Sequence, residues 1–293
     1  MQKKILSFIL IFAMALTITP CAFADSVLDV LADADFDRNS DDAWDSYVDL
    51  LLDYTGKKEL GEYAHLSFGY YNFMTGEEYY YNGDEYMVAA SLYKVPLNMI
   101  FADGQDPETK YGGMSLQDYQ YLTLHESSNE IAQALWESLG GYEAFKIKAK
   151  PYLMENVEEE VPYNFNFDNI FTARQFIYCL KMLGSEKSRF LNIIDNMLIT
   201  EADASFKRDV QWCPIASKNG YYTDGAYHTV VNDMGIVYTT QTFAIVMMTD
   251  NLENPNEILA DYCTLMCDYT NTRNYARKDN VAQLMSILDN SEG

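Results

Sequence analysis

Three short spacings in this sequence bring together residue types that can carry out acyl transfer. The first is Ser91-Leu92-Tyr93-Lys94, delivered by the small apolar run Val88-Ala89-Ala90. A serine favours a helix start and residues three apart share a helical face, so Lys94 can bring its amine beside the Ser91 hydroxyl. A serine hydroxyl is almost inert at neutral pH, and an amine held neutral by burial can take its proton during attack. A lone Ser-x-x-Lys is common by chance. Here two further spacings follow it. Ser127-Ser128-Asn129 offers a hydroxyl and an amide two residues apart, just before a helical pattern through Leu135, Trp136 and Leu139. Lys218-Asn219-Gly220 places a lysine and a glycine at the end of a strand-like segment, with Tyr221 next.

Taken in this order, Ser-x-x-Lys, Ser-x-Asn and Lys-x-Gly form the three-part signature of the penicillin-recognising serine enzymes. Over roughly residues 60 to 290 the chain resembles the class A β-lactamase-like serine hydrolases. The resemblance implies a role for each motif. Ser91 attacks a carbonyl, Lys94 acts as base, and Ser127 relays the proton to the leaving nitrogen. Asn129 holds the substrate's side-chain amide and Lys94, while Lys218 tunes the proton path and attracts a substrate carboxylate. The backbone amides of Ser91 and Tyr221 match the family's oxyanion hole, which favours charge developing on the carbonyl oxygen.

In that family a glutamate ahead of a Thr-Ala-type helix start activates the water that frees the acyl group. Glu160 with Asn164 reproduces a Glu-x-x-x-Asn spacing that could hold such a water, although the run Glu158-Glu159-Glu160 also reads as a solvated acidic face. Two positions depart from the pattern. Ser128 stands where an aspartate is usual, and Asn219 replaces the hydroxyl residue that helps bind a β-lactam carboxylate. The function implied is a serine hydrolase that opens a β-lactam amide through an acyl-enzyme on Ser91. The alternatives are a hydrolase or DD-peptidase acting on peptidoglycan peptides or esters, and a slowly acylating penicillin-binding sensor without turnover.

These motifs need a scaffold, and the apolar periodicity supplies one. Ala64 to Phe73 and Glu78 to Asn82 read as a hairpin about the turn Met74–Glu77. Trp44, Val48, Leu51 and Leu52 give a helical stripe from Asp41, closed by Lys57 to Gly61. Ser26 to Asp37 is an acidic lead-in without a compelling pattern. Helical spacing runs over 116–124, 129–139, 172–183 and 192–198, with Gly140-Gly141 and Gly184 as stops. Strands are expected over 210–217, 227–238 and 242–249, followed by helices over 255–267 and 281–288. The fold class that the resemblance implies is α/β in the α+β sense: an antiparallel sheet built from both chain ends, covered by helices, with an all-helical half inserted. Pro96 either marks a strained turn at the nucleophile, the preferred reading, or means that the helix begins later than Ser91.

Residues 1 to 24 have Lys3 and Lys4, an apolar run from Ile5 to Ile18, and Ala22-Phe23-Ala24, the pattern of a secretory signal peptide cut after Ala24. Lipoprotein anchoring through Cys21 fits less well behind Pro20. The expected units are a signal peptide at 1–24, an acidic segment and helix at 25–60, and a hydrolase domain at 61–293. The formal charge of −24 makes nucleic acid and anionic membranes poor partners. The resemblance implies a small-molecule substrate, a β-lactam or cell-wall peptide, and the chain is expected to be a monomer without stable membrane insertion after cleavage. Cys179, Cys213, Cys263 and Cys267 remain after the signal. Their even number permits disulfides, but they read as mostly buried apolar side chains. With His65, His125 and His228 scattered, nothing suggests a metal or an organic cofactor.

Overall fold

The computed structural model describes residues 26–56, 64–103, 105–201, 205–225 and 228–289. The expected signal peptide and the stop at Lys57 to Gly61 lie outside the described residues. In chain order the elements are α1 (Val27–Asp33), α2 (Ala43–Tyr54), β1 (His65–Asn72), β2 (Glu78–Tyr81), β3 (Met87–Val88), α3 (Lys94–Ala102), β4 (Lys110–Tyr111), β5 (Met114–Ser115) and α4 (Leu116–Gln120). They continue with α5 (Asn129–Ser138), α6 (Tyr142–Leu153), β6 (Ile170–Phe171), α7 (Ala173–Ser185), α8 (Leu191–Leu198), β7 (Ile215–Thr223), β8 (Thr229–Tyr238), β9 (Thr242–Asp250) and α9 (Pro255–Asp289).

The main sheet has the strand order β2-β1-β9-β8-β7, and each neighbouring pair is antiparallel. Both chain ends contribute to it, and the helical half is inserted between β2 and β7, as the apolar periodicity and the resemblance led us to expect. β9 shows why its sequence reads as an unbroken apolar run. Successive strand residues point to opposite faces. Ala244, Val246 and Met248 enter the core shared with α3, α5, α6 and α7, whereas Phe243, Ile245 and Met247 enter a second core with α1, α2 and α9. A strand covered on both faces has no polar side to show.

The structure corrects several boundaries. The acidic lead-in forms α1, started by a capping box in which Ser26 and Asp29 exchange hydrogen bonds, with Val27 and Leu31 buried. Gly184 does not stop α7. It lies within the last turn, where a Cβ would collide with the Phe73 ring. α6 follows Gly140-Gly141 and escaped the reading because Lys146 interrupts its buried face. The two expected C-terminal helices are one continuous α9. β7 starts at Ile215 and runs through Lys218-Asn219-Gly220 as far as Thr223, so the third motif sits inside an edge strand and not at its end.

Candidate active site

The nucleophile turn is a short 3₁₀ segment, Ala90–Tyr93, and the α-helix proper begins only at Lys94. Pro96 is thus the third helical residue, where the backbone N–H has no intrahelical acceptor in any case. The preferred reading of Pro96 as strain at the nucleophile is replaced by the later helix start. The geometric argument for Lys94 survives, because residues three apart eclipse in a 3₁₀ turn. Strain sits one residue before the serine instead: Ala90 has φ +49°, in the left-handed region.

Three partners hold this turn. Asn169 Nδ2 donates to the Ala90 carbonyl at 2.9 Å, and the Ala89 N–H donates to the Asn169 carbonyl at 2.9 Å. Asn232 Nδ2 donates to the Val88 carbonyl at 2.9 Å. The third is a close approach by β7: a Cβ on Gly220 would lie 2.9 Å from both the Ala89 oxygen and the Ser91 nitrogen. The pairing of β3 with β6 brings Asn169 to this position.

Lys94 is fully buried and its amine has four neighbours. They are the Ser127 carbonyl oxygen at 2.6 Å, Asn129 Oδ1 at 2.7 Å, Ser91 Oγ at 3.1 Å and Ser127 Oγ at 3.2 Å. The two nearest are obligate acceptors and take two N–H bonds. In a neutral amine the remaining direction is a lone pair, and it is left for the two hydroxyls. Burial lowers the Lys94 pKa to about 8, against an opposing pull from Glu130. A usable fraction of neutral amine therefore exists at neutral pH. Asn98, on the next turn of α3, fixes the backbone here by donating to the Lys94 carbonyl and to Thr123 Oγ1.

The second motif is presented by a π-helical turn, Tyr121–His125, and by Ser127 at φ +54°. Ser128 caps α5 through its hydroxyl, which accepts the Ile131 N–H at 3.2 Å. That is work an aspartate also does well, so this departure from the family pattern keeps the local geometry. Asn129 then opens the helix with its amide oxygen on Lys94.

Lys218 is 1% exposed on β7, and its amine donates to the Asn219 carbonyl at 2.7 Å. Burial, followed by the nearby Lys94 charge, lowers its pKa to about 7, while Asp233 pulls the other way. Asp233 lies opposite Asn219 in the β7–β8 register, fully buried, with Oδ2 accepting the Phe206 N–H at 3.1 Å. Asn219 and Tyr221 are exposed along the same edge strand.

Glu160 is placed apart from these groups. It is exposed and lines a groove with Glu155, Glu159, Arg174 and Lys181. Asn164, its expected partner around a water, donates its amide to Asp168 at 2.9 Å. The structure thus brings Ser91, Lys94, Ser127 and Asn129 into direct contact, with Gly220 against the nucleophile turn and Lys218 in the same electrostatic field. Asn169, Asn98, Asn232 and Asp233 support this group and were not singled out from the sequence. Asn98 alone carried a signal, as a polar residue on an otherwise apolar helix. Among the described residues no cluster of His, Cys, Asp and Glu could hold a metal.

A model of the β-lactamase enzyme family matches residues 104–262. Among solved structures, the TLA-1 extended-spectrum β-lactamase superposes with a TM-score of 0.65 at 18% identity, over 77% of this chain and 98% of that one. A β-lactamase from Chitinophaga pinensis gives 0.62 at 16% identity, over 77% and 99%. An ancestral class A β-lactamase gives 0.60 at 15%, over 76% and 98%. At such identities these likenesses show a shared fold. No curated protein sequence matches the chain.

Proposed function

The chain belongs to the β-lactamase enzyme family, and on that footing we propose that it is a serine acyl-transfer enzyme that opens a β-lactam amide and holds the product as an ester on Ser91. The observation that carries this reading is the Lys94 amine, saturated by two carbonyl-type acceptors and left with one direction toward the Ser91 and Ser127 hydroxyls. Neutral Lys94 takes the Ser91 proton as Oγ bonds to the lactam carbonyl carbon. The oxyanion faces the amides of Ser91 and Tyr221. Collapse breaks the C–N bond, and the nitrogen receives a proton through Ser127, whose hydroxyl is 3.2 Å from Lys94 Nζ. Lys218, in its cationic form, draws in the substrate carboxylate. Export guided by residues 1–24 would place this reaction outside the cytoplasm.

A second reading concerns turnover. Two observations bear on it: Glu160 lines a groove with Arg174 and Lys181, and the Asn164 amide donates to Asp168. This favours a long-lived ester, as in a penicillin-binding sensor. Intact-mass spectrometry during reaction with a chromogenic β-lactam, read with product absorbance, tests both. A lasting adduct with one equivalent of product supports acylation without turnover, and a transient adduct with many equivalents supports a hydrolase. Neither adduct nor product would overturn the β-lactam assignment.

A further inference from the structure

Asn169 holds the nucleophile turn and is itself held by one face of α6. Tyr142 and Lys146 stand four residues apart on that helix and so share a face. The Tyr142 hydroxyl donates to Asn169 Oδ1 at 3.1 Å, and Lys146 Nζ donates to the Ile170 carbonyl at 2.8 Å. Lys146 is fully buried, its amine 3.7 Å from the ring centre of Phe165 and 3.4 Å from that of Phe171. Tyr142 packs edge-on against Trp136 and Tyr93, with ring centres 5.7 and 6.0 Å away.

The Asn169 amide can stand only one way round. The Ala90 carbonyl oxygen accepts and cannot donate, so Nδ2 faces it and Oδ1 is left for the Tyr142 hydroxyl. The bonded carbonyl belongs to the peptide unit whose other end is the Ser91 N–H. That unit is planar and trans, so its oxygen and its hydrogen point in opposite directions and turn together. A donor that fixes the Ala90 oxygen therefore aims the Ser91 N–H as well. Hydrogen bonds in a chain also polarise one another, which makes that N–H a stronger donor. With Ala90 at φ +49°, the unit has a strained neighbour and would relax without the bond.

We propose that Tyr142 and Asn169 are positioning residues for the oxyanion: Tyr142 orients the Asn169 amide, and Asn169 aims the Ser91 N–H from behind through the Ala90 carbonyl. The assignment rests on the acyl-transfer reading, in which the Ser91 amide receives the developing charge. Tyr142→Phe removes the hydroxyl and keeps the ring packing, whereas Asn169→Asp sets a carboxylate oxygen against the Ala90 carbonyl. Two readouts follow in wild type and both variants. Stopped-flow acylation over a range of chromogenic β-lactam concentrations separates the limiting rate constant from half-saturation. A reduced folded fraction lowers the amplitude and leaves the rate constant alone, so loss of stability by itself is recognised. The second readout is the ¹⁵N resonance of the Ser91 amide in the free protein. The limiting rate constant should fall roughly 3- to 10-fold in Tyr142→Phe and by roughly 100-fold in Asn169→Asp. Half-saturation should stay within about twofold, and the Ser91 resonance should move in both variants. An unchanged rate constant in Tyr142→Phe, or a change confined to half-saturation, would overturn the proposal. A wild type that forms no adduct defeats the acyl-transfer reading separately, and an unmoved Ser91 resonance then overturns the positioning role on its own.

Discussion

Gly220 presses its α-carbon so closely on the amide of Ser91 that a single added methyl would sit 2.9 Å from the Ser91 nitrogen. The third motif is therefore a packing requirement on the first. Gly220→Ala must push β7 away from the nucleophile turn, separating the two amides that would receive the oxyanion. We expect acylation by a chromogenic β-lactam to fall by roughly 100-fold or more, with a stability loss of about 1–3 kcal/mol. Stopped-flow acylation and urea denaturation measure the two effects separately.

Lys94→Met keeps the volume of the lysine stem and removes the base. It also leaves Asn129 Oδ1 and the Ser127 carbonyl without their shared donor. Acylation should drop by roughly 10²–10⁴-fold, read as the rate of adduct formation by mass. A smaller loss than tenfold would show that another group accepts the Ser91 proton.

The two site lysines give the reaction an opposed pH dependence. Lys94, with its pKa near 8, gains its basic form as pH rises. Lys218, near 7, loses its cation over the same range. The acylation rate at low substrate should thus be bell-shaped, with a maximum between these values and apparent constants that belong to the pair. Lys218→Gln should abolish the alkaline fall and weaken capture of carboxylated substrates while the acid limb remains.

Asp233, which also pulls the Lys218 pKa upward, supplies a stability test that does not read the reaction. Burial raises its pKa to about 7, so between an unfolded value of ~4 and 7 the folded chain binds more proton than the unfolded chain. Stability from this group is complete below ~4 and is lost as pH rises through 7. Asp233→Asn has no such dependence. Urea midpoints taken from about pH 5 to about pH 7.5 should show the wild type losing ground to the variant.

Glu160→Gln should leave both acylation and adduct decay unchanged within about twofold, since a surface substitution away from the site alters little. Adduct lifetimes by mass give the answer, and a lengthened lifetime would restore Glu160 as the water-activating base.

Much of this was legible in the chain because the cause was local. Ser91, Lys94, Ser127 and Asn129 announce themselves by spacing, and the doubly covered β9 by its unbroken apolar run. What escaped notice depends on contacts remote in sequence. Asn169 reaches Ala90 only because β6 pairs with β3, and Asp233 matters only because the sheet sets β8 beside β7. Glu160 differs again: the Glu-x-x-x-Asn spacing is visible in the sequence, whereas the hydrogen bond from the Asn164 amide to Asp168 is not. α1 was missed because its stripe is a single turn, with Leu28 left 48% exposed and only Val27 and Leu31 buried.

The most direct measurement is the site of covalent attachment. Wild type and Ser91→Ala are each mixed with a β-lactam, quenched early, digested and mapped by tandem mass spectrometry. The account predicts an acyl mass on the peptide containing Ser91 in the wild type and none anywhere in the variant. An adduct of equal yield in Ser91→Ala, or one residing on Ser127 in the wild type, would contradict it.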